Sequence, residues 1–328
     1  MIVVVRSANN QLFAERKATK RTTMNIQSAD FDVPHMQCPM CLSPRIADYD
    51  QDFRGCFIAR CTACGVKFMN PPYSDAHLEH YYANYVNQFQ ANHADQQLQR
   101  RQRSKEADLR WVGEHVEPGR LLAIGCGDGT EIRVAQELGW QAEGYDVDEA
   151  TTRRVAEETG ATIYSGDFFW LNLPDDTYNC VFMDQVLEHP KNPRDYLLEV
   201  HRLLAPGGVL MIGCPNIMSI SSMLKTALGK AGLKRKRRGR HYDTFHHLFY
   251  YSPRALARLM RQHFNYEIIA YEGAPLGGVK NRIESGGLID RMSIALRRKL
   301  PWLEGTFRLL ARKPINSAIK KSQDRKAA

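Results

Sequence analysis

Leu121-Leu122-Ala123-Ile124-Gly125-Cys126-Gly127-Asp128-Gly129-Thr130 passes from an apolar, strand-like run into three alternate glycines, and a helical pattern (Ile132, Val134, Ala135, Leu138) follows. About 20 residues further on comes Gly144-Tyr145-Asp146-Val147-Asp148, the spacing of a dinucleotide-type fingerprint. Glycine lets a backbone turn sharply and approach a ligand with no Cβ in the way. A second strand over Gln141–Tyr145 then delivers the Asp146 carboxylate to the hydroxyls of a ribose. This order of strand, glycines, helix, strand and acid predicts a nucleoside cofactor across the C-terminal edge of a parallel sheet. Gly125, Cys126, Gly127, Asp128, Gly129 and Asp146 are its candidate contacts.

The chain has 328 residues, 43% hydrophobic and 25% charged, which suits one large or two unequal globular domains. No apolar run approaches the ~20 residues that cross a bilayer. The apolar Ile2–Val5 run is broken at once by Arg6, so no secretory core is present. The expected location is the cytoplasm. Cys126, Cys180 and Cys214 lie singly inside apolar runs and read as small core residues. Residues 1–35, largely without periodicity, are expected to be disordered. Formal net charge is +9, and almost all of the excess is local: Lys225 to Arg240 holds eight Lys or Arg and no acid. A protein that coats RNA would tend to be basic throughout.

Cys38-Pro-Met-Cys41 and Cys61-Thr-Ala-Cys64-Gly65 are two C-x-x-C knuckles separated by a strand-and-turn segment. Four thiolates at this spacing close a tetrahedral shell with no open position, a structural Zn2+ site on a small ribbon. A redox dithiol would open a helix in a thioredoxin-like unit, and none is visible; rubredoxin-like iron would use the same four ligands. Cys56 falls off the knuckle spacing.

The G-x-G-x-G spacing departs from the G-x-G-x-x-G of NAD enzymes. It resembles motif I of the class I S-adenosylmethionine-dependent methyltransferases. From about Leu109 to Pro314 the chain resembles the ubiquinone/menaquinone-biosynthesis type of that family, with a zinc ribbon ahead of it. Ala161–Tyr164 with Gly166-Asp167-Phe168 matches the third strand and its acid. The resemblance implies that Asp167 takes the adenine amine and that Phe168 lies beside the ring. Tyr178–Asp184 is the fourth strand, and its closing Asp184 completes the cofactor-binding set. Leu187-Glu188-His189 is close to a family signature. A helix over Pro193–Leu204 stops at Ala205-Pro206-Gly207-Gly208 and feeds a fifth strand, Val209–Gly213. Tyr266–Tyr271 and Thr306–Ala311 read as the sixth and seventh strands. The implied fold is α/β: a seven-stranded, doubly wound, Rossmann-like sheet whose seventh strand inserts antiparallel, preceded by the ribbon. Where the family normally has Asp or Glu, this chain has Ala123.

The implied activity is methyl transfer from S-adenosylmethionine to a small-molecule or glycan-type acceptor, such as a sugar, a nucleotide sugar or a lipid-linked precursor. An RNA methyltransferase and an inactive cofactor-binding protein are the alternatives. A hydroxyl acceptor needs a base, for which His189, His246 and His247 are candidates. Ile220–Ala231 repeats apolar residues at helical spacing beside lysines. For this basic segment three readings stand open: a mobile lid, a peripheral contact with anionic membrane at its inner face, and nucleic-acid binding. The expected organisation is a zinc ribbon at 36–75, a helical linker at 76–115, a methyltransferase domain at 116–314 with a basic lid insertion at 217–245, and a basic tail at 315–328.

Overall fold

The computed structural model describes residues 28–89, 95–233, 238–274 and 300–315. Three short strands, β1 (Ile46–Gln51), β2 (Phe57–Cys61) and β3 (Lys67–Met69), pair antiparallel around the cysteine knuckles. Helices α1 (Asp75–Phe89) and α2 (Asp95–Gly113) lead to the large sheet. There β4 (Arg120–Ile124), α3 (Thr130–Glu137), β5 (Gln141–Tyr145), α4 (Glu149–Thr159), β6 (Ile163–Tyr164) and β7 (Tyr178–Asp184) alternate strand with helix or turn. Next come α5 (Pro193–Leu203), β8 (Leu204–Pro215), α6 (Ile220–Lys230), β9 (Phe249–Tyr250), α7 (Pro253–His263), β10 (Glu267–Ala274) and β11 (Thr306–Arg312).

The seven-stranded sheet has the order β10-β11-β8-β7-β4-β5-β6. Strands β4 to β8 run parallel to one another, and β11 runs antiparallel between β8 and β10. The expected doubly wound fold is therefore observed. Both faces of the sheet are covered, which is why β7 is apolar almost throughout. On one face, Leu121, Ala123, Cys180 and Phe182 pack on Leu109 and Val112 of α2 and Ile132 of α3. On the other, Leu122, Ile124, Val181 and Met183 pack on Leu197 and Val200 of α5 and Leu256 and Leu259 of α7. The start of α7 follows its sequence signal: the Ser252 hydroxyl accepts from Ala255 N, and Pro253 opens the helix.

Several expectations are corrected. Strand β8 starts at Leu204, so the Pro-Gly-Gly turn lies inside it, facing a register irregularity between Tyr178 and Cys180. Gly208 is required there, because a Cβ would stand 2.8 Å from Ala205 O and 2.9 Å from Tyr178 O. The sixth strand runs from Glu267 on to Ala274, and Tyr266 instead places its ring against His201. The expected disorder over 1–35 fails from Ser28 onward. Ser28–Asp30 form a 3-10 turn, Phe31 stacks on Tyr73 with ring centroids 5.2 Å apart, and Asp32 pairs with Lys191. The remainder of that segment, residues 234–237 and 275–299, and the basic tail except Ile315 lie outside the described residues.

The ribbon is docked rather than separate. Two residues just past the basic insertion, β9, add a fourth strand to the ribbon sheet beside β3. Cys38, Met40, Phe68 and Tyr73 share one apolar cluster with the large sheet. Arg194 donates to Met40 O, and Arg258 donates to Cys64 O. Among the described residues no helix is long and apolar enough to cross a membrane.

Candidate functional site

Strand β4 has β5 on one side and β7 on the other, so chain order reverses direction between β4 and β7. Open α/β sheets bind ligands in the crevice at the C-terminal ends of such strands. The glycine loop leaves β4 there. Its backbone is fixed at several points: Gly125 N and Cys126 N both donate to Tyr145 O, and Gly127 N donates to an Asp146 oxygen at 3.0 Å. Asp148 N donates to the other Asp146 oxygen at 3.1 Å. Asp146 is fully buried, and each of its two oxygens accepts from a backbone donor. Asp128 accepts from Thr130 N and pairs with Arg101 of α2. All three glycines have positive φ, and Gly127 leaves open space beside it, the nearest atom to a Cβ lying 3.9 Å away. This cradle fits the nucleoside cofactor expected from the sequence.

Four further expected cofactor contacts, Phe168, Asp167, Cys126 and Asp184, have neighbours within the protein. Phe168 is packed as core, stacked on Tyr196 at 5.2 Å with planes 6° apart, because the 3-10 turn at Phe168–Trp170 points its first ring inward. The Asp167 carboxylate caps that turn by accepting from Phe169 N, so the plain capping role is real. The Cys126 side chain is buried, and burial pushes its thiol well above the usual range. Asp184 lies in a buried charge cluster, 2.6 Å from Lys105 Nζ and 3.1 Å from Arg308. In the same cluster Lys105 reaches Glu131 at 3.7 Å and Arg308 pairs with Asp108 at 2.9 Å. Burial opposes the Lys105 charge, but Asp184 and Glu131 outweigh it and hold the ammonium above its usual range. Sequence reading missed Arg101, Lys105 and Glu131. The signal was present, since Lys105, Leu109 and Val112 recur at one face of a helix.

The three candidate histidines are brought together. His189 follows β7 beyond Gln185, a non-glycine residue at φ 58, in the region that favours glycine, which turns the chain off the strand. His246 and His247 precede β9, and Glu188 O accepts from Leu248 N and Phe249 N. Ring centroids of His189 lie 5.1 Å from His246 and 4.9 Å from His247. Helix α1 supplies two tyrosines: Tyr82 Oη is 3.0 Å from His189 Nδ1, and Tyr81 Oη is 3.1 Å from His246 Nδ1. All three histidines are buried. Burial, with the neighbouring imidazoles second, holds His189 well below its usual range; burial then His247 do the same to His246. Burial also lowers His247. The cluster is therefore neutral at pH 7 and rich in lone pairs. Burial pushes the adjacent Glu188 up to about 8. Among the described residues His189 Nε2, His247 Nε2 and Glu188 Oε1 meet no hydrogen-bond partner. An unmet buried polar atom costs about 1–3 kcal/mol.

The four expected cysteine ligands also converge. Cys38 Sγ is 3.7 Å from Cys64 Sγ and Cys41 Sγ is 3.6 Å from Cys61 Sγ, and all four sulfurs lie within 4.8 Å of one another. A tetrahedron with Zn–S of about 2.3 Å has edges of about 3.8 Å. The separations fit such an ion and are too long for disulfides. Cys56 is outside the set, 3.5 Å from Tyr73 Oη.

The basic insertion is strapped onto the ribbon. Lys67 and Lys230 lie on the Tyr49 ring, each 4.3 Å from its centroid. Arg238 and Tyr242 both reach Asp50 at 2.9 Å, and Phe53 N donates to Arg238 O. The apolar side of α6 is not covered: Ile220, Met223 and Leu224 are 52%, 49% and 58% exposed.

A family described as a methyltransferase domain matches residues 95–271, more than half of the chain. A Mycolicibacterium smegmatis protein described as a probable S-adenosylmethionine-dependent methyltransferase is 33% identical over 109 residues, 33% of this chain and 42% of that protein. A ubiquinone biosynthesis O-methyltransferase of Maricaulis maris is 31% identical over 115 residues, 33% of this chain and 44% of that protein. The chain thus spans less than half the length of these curated relatives. A SAM-dependent methyltransferase from Archaeoglobus fulgidus superposes with a TM-score of 0.45 at 18% identity, over 71% of this chain and 100% of that one.

Proposed function

The chain belongs to the methyltransferase-domain family, and from that premise we propose that it methylates a hydroxyl on a small-molecule or glycan-type acceptor. The observation that carries the acceptor chemistry is the neutral cluster of His189, His246 and His247 beside the strand-order reversal. S-adenosylmethionine supplies an electrophilic methyl group on a sulfonium. The glycine loop gives the nucleoside a close approach, Asp146 anchors that loop at the ribose end, and Arg101 fixes it through Asp128. Alignment and exclusion of water supply much of the acceleration in such a displacement. A hydroxyl must also lose its proton, and the histidine cluster is where this chain offers lone pairs to do so.

Calorimetry with S-adenosylmethionine on wild type and Asp146→Ala tests the cofactor half. Asp146 binds the glycine loop as well as the ribose, so the variant should lose about 1.5–3 kcal/mol or more of affinity. No binding by wild type at millimolar cofactor overturns the enzyme reading. Transfer of labelled methyl into nucleotide sugars, lipid extracts and RNA then sorts the acceptor classes, and label in RNA alone overturns the small-molecule reading.

A second element of the reading concerns where the acceptor is met. The exposed apolar residues of α6 lie beside the basic run 225–240. An apolar face rimmed with positive charge complements an anionic bilayer surface. The ion at the four cysteines is assigned as Zn2+ with a structural task, because the shell leaves no position for substrate.

A further inference from the structure

We propose that His189, His246 and His247, with Glu188 beside them, form a second metal site that takes a divalent first-row transition ion. One ring nitrogen from each histidine lies within 4.8 Å of the other two. A tetrahedral ion with M–N of about 2.0–2.1 Å needs them about 3.3 Å apart, a closure that small ring movements supply. Glu188 Oε1 stands 3.9 Å from His189 Nε2 but does not converge with all three rings, so the histidines leave a fourth position open. The outer contacts suit the same reading. Metal-binding histidines commonly use their second nitrogen to fix ring orientation. Here Tyr82 takes Nδ1 of His189 and Tyr81 takes Nδ1 of His246. His189 Nε2, His247 Nε2 and Glu188 Oε1 are buried and meet no hydrogen-bond partner among the described residues. A cation held among the rings would satisfy the two imidazole nitrogens. Three imidazoles suit zinc, iron, copper or nickel better than the hard, oxygen-preferring Ca2+ or Mg2+. This site is distinct from the four cysteines, which lie on the ribbon and offer only sulfur.

The metal claim does not depend on the methyl-transfer reading. It deepens that reading, since an ion here would acidify an acceptor hydroxyl more strongly than an imidazole alone. The test uses the full chain, stripped with chelator and titrated with Co2+, followed by visible absorption and metal content. Wild type should take up two equivalents, one with intense thiolate-to-cobalt bands and one with only the weaker bands of nitrogen and oxygen ligands. His247→Ala should lose the second and keep the first; Cys61→Ser should lose the first and keep the second with weaker affinity. His247→Gln, which keeps the volume of the ring, should match His247→Ala and melt like wild type. A folded wild type that takes up only the thiolate equivalent overturns the proposal, as does a second equivalent that survives both His247 variants. Calorimetry with S-adenosylmethionine on the same samples reads the glycine loop separately, so failure of this site and failure of the methyl-transfer reading are distinguishable.

Discussion

At the scale of single residues, the glycine loop separates two tasks that the sequence presents as one motif. A Cβ on Gly129 would stand 2.5 Å from Val155 Cγ1, with φ at 75°, so this glycine serves packing between α3 and α4. Gly127, at φ 50°, faces open space. Gly129→Ala should therefore cost about 1–3 kcal/mol of stability through overpacking. Gly127→Ala should cost about 1–2 kcal/mol, the price of a left-handed residue, and should weaken the cofactor by more than that. Denaturant unfolding and calorimetry on both variants check this; equal effects on stability and binding in both would mean that the open side of Gly127 does not face the cofactor. Ala123 reads differently once its neighbours are known. It sits among Leu121, Cys126 and Ile132, paired in register with Phe182, over whose ring lies Lys105 Nζ. The carboxylates near this position come from Glu131 and Asp184 rather than from the strand, and the loop is tied down by Asp146 and Arg101. Motif spacing revealed which residues form the loop. It could not reveal that Phe168 turns inward or that Asp184 pairs with Lys105, because both depend on neighbours far away in the chain.

At the scale of elements, local periodicity together with the family resemblance located almost every strand and helix of the large sheet, since each buries a face with its own repeat. The docking of the ribbon was not legible. Strand β9 has only two residues, too few for any period, and it pairs with β3 some 180 residues away, a separation of about the kind that only tertiary packing can select. The same pairing gives the ribbon a role in the site, because His246 and His247 immediately precede β9 and Tyr81 and Tyr82 immediately follow the ribbon in α1. Removing the ion at the cysteines should therefore be felt beyond the ribbon. In Cys61→Ser, amide exchange should rise together at Lys67–Met69 and at Leu248–Tyr250, while the glycine loop still binds cofactor. Exchange that rises only at the ribbon's own strands would show that docking adds nothing to the order of the histidine segment.

At the scale of the whole molecule, one surface combines charge with uncovered apolar area. Ile220, Met223 and Leu224 fall on one side of α6 at the spacing that ordinarily faces a core, yet each is about half exposed, and Leu233 beyond the helix is 55% exposed. The ribbon holds this unit at its base through Lys230 on Tyr49 and Arg238 on Asp50. Arg238 therefore serves structure and should be left intact in any test of the surface. Replacing Lys234, Arg235, Lys236 and Arg237 with Gln removes four positive charges from the run. At about 1 kcal/mol for each basic residue near an anionic membrane, binding should fall by up to about 4 kcal/mol, roughly a thousandfold. Met223→Glu with Leu224→Glu should weaken it separately, by removing apolar insertion. Flotation with phosphatidylserine-containing vesicles at low and moderate salt reads both. The charge variant should reduce the salt dependence, because surface attraction fades as the Debye length shrinks, whereas the apolar variant should lower binding at both salts. Cofactor affinity should stay unchanged in either, since Asp146 and the glycine loop are separate from α6. Absence of vesicle binding with tight, salt-steep binding of RNA would transfer this surface to a nucleic-acid acceptor. Absence of both would leave α6 and its basic run as a cover over the acceptor side, held by the ribbon and contacting solvent alone.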